Sequence, residues 1–231
     1  MNAPDNKDIA VIVVAAGSGS RFGGAVAKQF CLLGDRPLLM HSIDAFRNAL
    51  PGCRVVVALA PEMRGVWDDL CREYGYVSPA VTEGGATRAE SVRNALAAVP
   101  DDTHIIMVHD AARPLVSRAV ISGVLAAAAE HGAAVPVVPV TDSLRRADTG
   151  MAVDRAPFRA VQTPQAFLAD VLRRAYAAPL SPSFTDDASV VEAAGHPVTM
   201  VDGSPENIKI TWPRDIAVAA ALMNAADGPE H

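Results

Sequence analysis

Short apolar segments alternate with segments of helical length along most of this chain, and this alternation limits the possible folds more than any other feature. The apolar segments are rich in Val and Ile, as in strands buried on both faces, and lie at 8–14, 54–59, 104–108 and 133–139. The longer segments carry apolar residues at three- and four-residue spacing and lie at 37–49, 61–74, 87–99 and 117–131. Strands that alternate with helices predict an α/β fold, with a mostly parallel twisted sheet flanked by helices.

One segment, 141–160, interrupts the alternation. Its sequence, TDSLRRADTGMAVDRAPFRA, is polar and has no sustained apolar face. Because so long an irregular connection is unusual in a compact domain, we interpret it as a projecting arm or lid. The 231 residues contain no linker or strong repeat that would divide the chain. We therefore expect residues 1–231 to form one domain that includes this arm, with 225–231 as a disordered tail.

Charge and composition argue against several classes of protein. A formal net charge of −6 argues against non-specific binding of nucleic acid. No apolar segment approaches the roughly 18 to 20 residues of a membrane span, and the start, MNAPDNKD, lacks the basic region of a signal peptide. Three widely spaced cysteines favour neither a disulfide framework nor a zinc site. We expect a cytoplasmic protein that binds neither nucleic acid nor membrane.

A glycine-rich loop follows the first predicted strand in VIVVAAGSGSRFGG, residues 11–24. Ligands of open parallel sheets bind at the carboxyl ends of the strands, and glycines there let backbone N–H groups approach phosphate oxygens. The dinucleotide fingerprint of dehydrogenases fails, because Phe22 stands where its third glycine is needed. A P-loop counted from Gly19 also fails, because Ala25 replaces its lysine. The loop remains a candidate phosphate site, with a merely flexible connection as the alternative.

Two cations accompany this loop. Arg21 lies within it, and Lys28 follows seven residues later. Cations that flank a triphosphate neutralise the charge that develops during attack at phosphorus. We interpret both as candidate catalytic residues, although isolated Arg and Lys side chains are usually solvated surface groups.

Further candidate residues follow other strands. Asp110, in VHDAARP, follows the fourth predicted strand on the same sheet edge, where one carboxylate together with phosphates could hold Mg²⁺. The alternative is a helix cap, and His109 is interpreted as a packed, hydrogen-bonded neighbour. Gly84 and Gly85 follow a predicted strand at 76–82 and could read a base through backbone groups. Lys209, predicted on a short strand at 205–211, would point away from its apolar neighbours into the site.

Seven motifs in this order resemble those of the 2-C-methyl-D-erythritol 4-phosphate cytidylyltransferases: AAGSGSRFG…AKQF, GGATRAESV, VHDAARP, VPVTDSLRR, VQTPQAF, FTDDAS and ENIKIT. The resemblance covers about residues 8 to 222, and the ordered set is far more specific than the loop alone. It implies a Rossmann-like fold, CTP and 2-C-methyl-D-erythritol 4-phosphate as substrates, and Mg²⁺ or another divalent cation as cofactor. It also implies a homodimer formed through a β-arm, which matches the arm interpreted at 141–160.

The resemblance assigns roles to individual residues. For CTP it implies contacts from Ala15, Ala16, Gly17, Gly19, Arg21, Lys28, Gly84, Gly85, Ser91 and Ala111. Asp110 would be the metal-side aspartate, and Lys209 would meet phosphate and Mg²⁺. For the methylerythritol phosphate it implies contacts from Arg113, Ser143, Arg155 and Thr163, with Ser143 and Arg155 reaching the partner subunit's site.

This chain departs from the family pattern at two positions. Ala86 follows the glycine pair where many relatives carry an acidic or polar residue, so a side chain that reads cytosine is absent there. Ser143 stands where threonine is common, which preserves the hydroxyl. The implied reaction is direct attack of the acceptor phosphate on the α-phosphorus of CTP. A cytidylyltransferase for another polyol phosphate, such as ribitol 5-phosphate, is the main alternative, and a non-catalytic nucleotide-binding module is another.

Overall fold

The computed structural model describes residues 5–17, 22 and 27–226. The α-helices in these residues are α1 (Leu38–Ala49), α2 (Arg64–Glu73), α3 (Arg88–Leu96), α4 (Arg118–His131), α5 (Ala169–Ala177), α6 (Asp187–Ala193) and α7 (Arg214–Ala226). The four helices predicted from spacing correspond to α1–α4. Within the described residues, no helix is long and apolar enough to cross a membrane.

The strands within these residues divide into central and peripheral sets. The central ones are β1 (Ile9–Val14), β4 (Arg54–Leu59), β5 (Ala80–Glu83), β6 (Ile105–Asp110), β7 (Ala133–Pro139), β10 (Arg159–Val161), β11 (Gln165–Leu168) and β12 (Thr199–Asp202). The peripheral ones are β2 (Leu32–Leu33), β3 (Arg36–Pro37), β8 (Leu144–Arg145) and β9 (Ala152–Val153).

The eight central strands form one mixed, mostly parallel sheet. The order is β10-β7-β11-β6-β1-β4-β5, and β12 also pairs with β7. Parallel pairing joins β5 to β4, β4 to β1 and β1 to β6, which confirms the predicted parallel core. The antiparallel strand β11 lies between β6 and β7 and separates them.

Apolar side chains on both faces of this sheet explain why its strands are so uniformly apolar. Along β1, Val11 and Val13 pack into a core with Phe46 of α1. Ala10 and Ile12 face the opposite core. Because alternate residues of a strand point to opposite faces, a strand covered by helices on both sides needs apolar residues at every position.

Local signals at the helix ends agree with the sequence. Thr87 and Glu90 form the capping box predicted at the start of α3, where each side chain meets a backbone N–H. The Ser117 hydroxyl accepts from the Val120 N–H at the start of α4, and Gly132, with a φ of 90°, caps the end of that helix. These caps determine where α3 and α4 begin. The first residues of α3 lie at the candidate site.

The segment predicted as an arm contains an exposed two-stranded hairpin. Its strands β8 and β9 are antiparallel and form a sheet separate from the central one. The last predicted arm residues, Arg159 and Ala160, belong instead to β10 of the central sheet, because they continue the antiparallel ladder on β7.

Three other boundaries differ from the prediction. The strand before the glycine pair spans Ala80–Glu83 rather than 76–82. The segment around Lys209 is irregular and not a strand. It packs beside the loop after β6, where Ile210 N–H donates to the Ala112 carbonyl at 2.8 Å. Residues 225 and 226, predicted in the tail, lie in α7, and 227–231 lie outside the described residues.

Candidate active site

A cleft of about 490 Å³ opens at the carboxyl ends of β1, β5 and β6. Its walls bring together segments far apart in sequence, as the sequence predicted: Ala15, Ala16, Gly17, Lys28, Gly85, Ser91, Asp110, Ala111 and Lys209. Gly84 adjoins this wall, because a Cβ added there would meet the Ala16 Cβ at 2.2 Å. Gly19 and Arg21 lie outside the described residues.

A second cavity of about 220 Å³ adjoins the first. Arg113 and Thr163, both expected near the acceptor, line it together with Thr185. Arg88, Asp110 and Lys209 line both cavities, so they form a shared wall. Ser143 and Arg155 line neither cavity among the described residues, since both lie in the exposed segment around the hairpin.

The shared wall is built from alternating charges. Lys209 Nζ donates to Asp110 Oδ2 at 2.7 Å, and Arg88 Nε donates to Asp110 Oδ1 at 3.1 Å. Arg88 Nη2 also donates to the buried Asp187 Oδ2 at 2.8 Å. Burial would raise the pKa of Asp110, but Arg88 and Lys209 outweigh it and hold that pKa well below its usual value. The carboxylate therefore stays ionised beside the cleft.

His109 lies beneath this wall as a neutral ring. Its Nε2 donates to the Arg113 carbonyl at 3.0 Å, so Nδ1 must accept from the Thr163 hydroxyl at 3.1 Å. The same hydroxyl accepts from the Asp110 N–H at 3.1 Å. Burial lowers the pKa of His109 to about 4. His109 is thus the packed, hydrogen-bonded neighbour that the sequence predicted, and it fixes the hydroxyl of Thr163, which lines the second cavity.

Arg113 is held from one side only. Its Nη1 donates to the Asn207 carbonyl at 2.6 Å, while its buried Nε makes no hydrogen bond to the described residues. Burial lowers the pKa of Arg113. A buried guanidinium with an unused donor, in the wall of a cavity, can bind an anionic ligand.

The glycine pair forms a closely packed part of the cleft wall, because a Cβ added at Gly84 or Gly85 would meet Ala16 or Glu90. Gly84 N–H donates to the Leu59 carbonyl at 2.8 Å, and Gly85 N–H donates to Ser91 Oγ at 3.0 Å. Both N–H groups are therefore occupied within the protein, which leaves the carbonyl oxygens as the backbone groups that can meet a base. Ala86 lines the cleft beside them, and its methyl group offers no hydrogen bond.

Several site residues carry a role that the sequence analysis did not assign. Gln29 Nε2 donates to the Ala15 carbonyl at 2.9 Å and so ties the start of the glycine loop to Lys28. Asp187 anchors Arg88, and Thr185 lines the second cavity. All of them stand within motifs quoted above, AKQF, GGATRAESV and FTDDAS, but the motifs alone do not show which polar residues meet across the fold.

Comparison with known sequences identifies a family. The sequence model of "IspD: 2-C-methyl-D-erythritol 4-phosphate cytidylyltransferase" matches residues 9–225. A relative of that name from Bacteroides fragilis is 41% identical over 215 residues, which covers 92% of this chain and 98% of the relative. Another from Bacteroides thetaiotaomicron is 43% identical over 216 residues, with coverages of 92% and 98%.

Solved structures agree with the sequence comparison. The crystal structure of 2-C-methyl-D-erythritol 4-phosphate cytidylyltransferase from Thermus thermophilus has a TM-score of 0.76 and 38% identity, and the match covers 93% of this chain and 98% of that one. The bifunctional IspDF from Campylobacter jejuni has a TM-score of 0.78 and 27% identity, with coverages of 90% and 53%.

Proposed function

Because this chain belongs to the 2-C-methyl-D-erythritol 4-phosphate cytidylyltransferase family, we propose that it transfers CMP from CTP to 2-C-methyl-D-erythritol 4-phosphate and releases pyrophosphate. The observation that carries the proposal is the pair of adjacent cavities that share Arg88, Asp110 and Lys209. The α-phosphorus of CTP and the acceptor phosphate must meet for CMP to be transferred, and the wall shared by the two cavities holds two cations beside a carboxylate.

CTP occupies the larger cavity in this proposal. Its phosphates lie along Ala15–Gly17 and Gly19, near Lys28 and Arg21, and its ribose lies near Ala111. The cytosine lies against Gly84, Gly85 and Ser91. Since the N–H groups of Gly84 and Gly85 are already used, their carbonyl oxygens accept from the cytosine amino group. A uracil oxygen at the same place would face those carbonyl oxygens and be repelled.

The acceptor phosphate occupies the smaller cavity, where Arg113 and Thr163 contact it. One of its oxygens attacks the α-phosphorus of CTP, a new P–O bond forms, and the bond to the β-phosphate oxygen breaks. The electrons of that bond leave with pyrophosphate. Arg21, Lys28 and Lys209 stabilise the negative charge in the transition state. A phosphate monoester is already an anion near neutral pH, so no general base is needed.

Asp110 fits the role of the metal-side carboxylate. Each of its oxygens accepts one hydrogen bond and keeps a lone pair, which suits a divalent cation held by one carboxylate together with substrate phosphates and water. The described residues contain no cluster of three or more His, Cys, Asp or Glu side chains that could hold a metal ion. Substrate phosphates and water would therefore supply the other ligands of the cation. Mg²⁺ held there would offset part of the negative charge of the triphosphate.

The working unit in this proposal is a homodimer of single-domain subunits. Ser143 and Arg155 lie in the exposed hairpin segment, away from both cavities of their own chain. In a dimer joined through this segment they would reach the acceptor cavity of the partner subunit. The proposed location is the cytoplasm, where the free Cys31, Cys53 and Cys71 stay reduced.

A single assay tests the activity. The protein is incubated with CTP, Mg²⁺ and one polyol phosphate at a time, and pyrophosphate release is followed. Release should require 2-C-methyl-D-erythritol 4-phosphate and should be strongly reduced in a Lys28→Ala variant. If ribitol 5-phosphate is the only polyol phosphate that supports release, then it is the acceptor instead. If no polyol phosphate supports release, the protein is better explained as a nucleotide-binding module.

A further inference from the structure

Asp187 is fully buried and lines neither cavity among the described residues, yet it is joined to the shared wall. Its Oδ2 accepts from Arg88 Nη2 at 2.8 Å, and Arg88 Nε donates to Asp110 at 3.1 Å. One guanidinium therefore connects a buried carboxylate to the carboxylate of the candidate active site.

The remaining oxygen of Asp187 is also fixed. Tyr176 Oη donates to Asp187 Oδ1 at 2.6 Å, and Tyr176 is itself a buried residue of α5. Asp187 lies in the first turn of α6, whose start is tied to β11 because Ala188 N–H donates to Gln165 Oε1 at 2.9 Å. The carboxylate thus has a fixed place and a partner on each oxygen.

Arg88 is divided between the two carboxylates. An unconstrained guanidinium frequently binds one carboxylate through two parallel N–H donors, one to each carboxylate oxygen. Here one edge of the fork is held by Asp187, and only Nε reaches Asp110. Asp110 Oδ2 stays available to Lys209 on the side of the cleft.

We propose that Asp187, held by Tyr176, is a positioning residue that limits Arg88 to one hydrogen bond with Asp110 and so leaves Asp110 Oδ2 to Lys209 on the side of the cleft. This inference rests on the proposed function, since it concerns how Asp110 meets the metal–triphosphate. Without the Asp187 charge, Arg88 would turn its fork onto Asp110 and hold both carboxylate oxygens, including Oδ2, which Lys209 now binds from the side of the cleft.

The test compares Asp187→Asn with the wild type in two measurements. The first is kcat for CMP transfer and KM for CTP. The second is Mn²⁺ affinity in the presence of a non-hydrolysable CTP analogue, read as free Mn²⁺ by electron paramagnetic resonance, which requires no turnover. We expect kcat and Mn²⁺ affinity each to fall by about 10- to 100-fold, as for other residues that orient a metal ligand, with a smaller change in KM for CTP.

A double-mutant cycle separates positioning from general destabilisation. If Asp187 acts through Arg88, Asp187→Asn should cause no further loss of kcat or Mn²⁺ affinity in an Arg88→Gln background. Ser189→Ala is the matched control, because it removes the hydrogen bonds between the Ser189 hydroxyl and the backbone of Asp186 at the cap of α6 without touching Arg88. It should lower the melting temperature and leave both measurements unchanged.

The outcomes are decisive in each direction. Wild-type values in Asp187→Asn, or losses that add to those of Arg88→Gln, overturn the proposal. If Asp187→Asn does not fold, Tyr176→Phe takes its place, with a smaller loss that must also vanish in the Arg88→Gln background. A wild type that binds Mn²⁺ with the analogue but transfers no CMP overturns the proposed function, while the Mn²⁺ comparison still decides the role of Asp187.

Discussion

Lys209 and Asp110 are separated by 99 positions in the chain, yet Lys209 Nζ lies 2.7 Å from Asp110 Oδ2. The pair closes the wall between the two cavities. Since Lys209 is a flexible, half-exposed cation, a triphosphate can draw it away from Asp110. Phosphate binding would then free one oxygen of Asp110 for a divalent cation that accompanies the triphosphate.

Removing a cation from the cleft should slow turnover while preserving the fold. We expect Arg21→Ala, Lys28→Ala or Lys209→Ala to lower kcat/KM for CTP by about 10²–10³, the usual loss for one transition-state donor. Steady-state kinetics with a thermal melt measures both properties. Lys7→Ala, at an exposed position in another part of the chain, is the control and should match the wild type. Near-normal turnover in any of the three variants would remove that residue from the mechanism.

The tight wall at Gly84 should tolerate no side chain. Its added Cβ would meet the Ala16 Cβ at 2.2 Å, so Gly84→Ala should displace the wall against which the nucleotide lies. We expect KM for CTP to rise at least about tenfold by kinetics, a loss of about 1.4 kcal/mol or more in nucleotide binding. Gly123→Ala in α4 is the matched control, because an added Cβ there meets nothing within 4 Å. That control should raise the melting temperature slightly, since alanine favours helix.

Base selection should rest on backbone carbonyls and on the size of the cleft. CTP should be used in preference to UTP, because the uracil oxygen faces the carbonyls of Gly84 and Gly85. ATP and GTP should be poor substrates, because purines are larger than the pyrimidine for which the wall is shaped. Competition assays with equal concentrations of the four nucleotides measure the order. Equal rates with CTP and ATP would show that the base lies elsewhere.

Buried, neutral His109 should make stability depend on pH. In the unfolded chain histidine takes up a proton near pH 6.5, whereas in the folded protein its pKa is about 4. The unfolded state therefore binds more protons between these values, and stability falls as pH decreases through that window. The loss should amount to about 3 kcal/mol by pH 4, measured by urea unfolding in metal-free buffer.

A His109→Gln variant should lack this loss, although it will be less stable at neutral pH because it disturbs the bonds to Arg113 and Thr163. His131→Gln, at an exposed position, should keep the wild-type slope. Protonation of carboxylates such as Asp110 changes stability mainly below about pH 4, and these carboxylates are present in all three proteins. The same slope in His109→Gln as in the wild type would contradict the assignment.

Two inactive proteins should restore activity to each other if the hairpin segment serves the partner subunit. Arg155→Ala would damage the acceptor site of the partner subunit. Lys28→Ala would damage the nucleotide site of the subunit that carries it. In a mixed dimer one site carries both lesions and the other carries neither. Random exchange should return up to about a quarter of wild-type activity, because half the dimers are mixed and each has one intact site of two. Native mass spectrometry verifies exchange; complete exchange without activity would exclude a shared site.

The sequence predicts the parallel part of this fold well, because local signals determine it. Runs such as that of β1 are apolar at every position, and the cap at Thr87 is formed by residues within one helical turn. The antiparallel strand β11 has no comparable signal. Its place between β6 and β7 follows from long-range pairing, which four residues of sequence do not encode by themselves.

The candidate site is predictable only in part for the same reason. Asp110 and Lys28 follow recognisable features, and the structure brings both to the cleft. In FTDDAS, however, the neighbouring residues Asp186 and Asp187 look alike. The first caps α6, and the second is buried against Arg88, whose position in the chain is 99 residues away. The apolar residues on either side of Lys209 predict a strand by their alternation, but the segment is irregular.

The wall shared by the two cavities has a consequence for how the reaction ends. The product of the proposed transfer would be one molecule with its cytidine in the larger cavity and its polyol in the smaller, joined across Arg88, Asp110 and Lys209. When two bound groups are covalently joined, each keeps the other at a high effective concentration near its own cavity. We therefore expect the joined product to be retained after pyrophosphate has left, and its release to be slow. A stable mimic of its length would use the same advantage as an inhibitor.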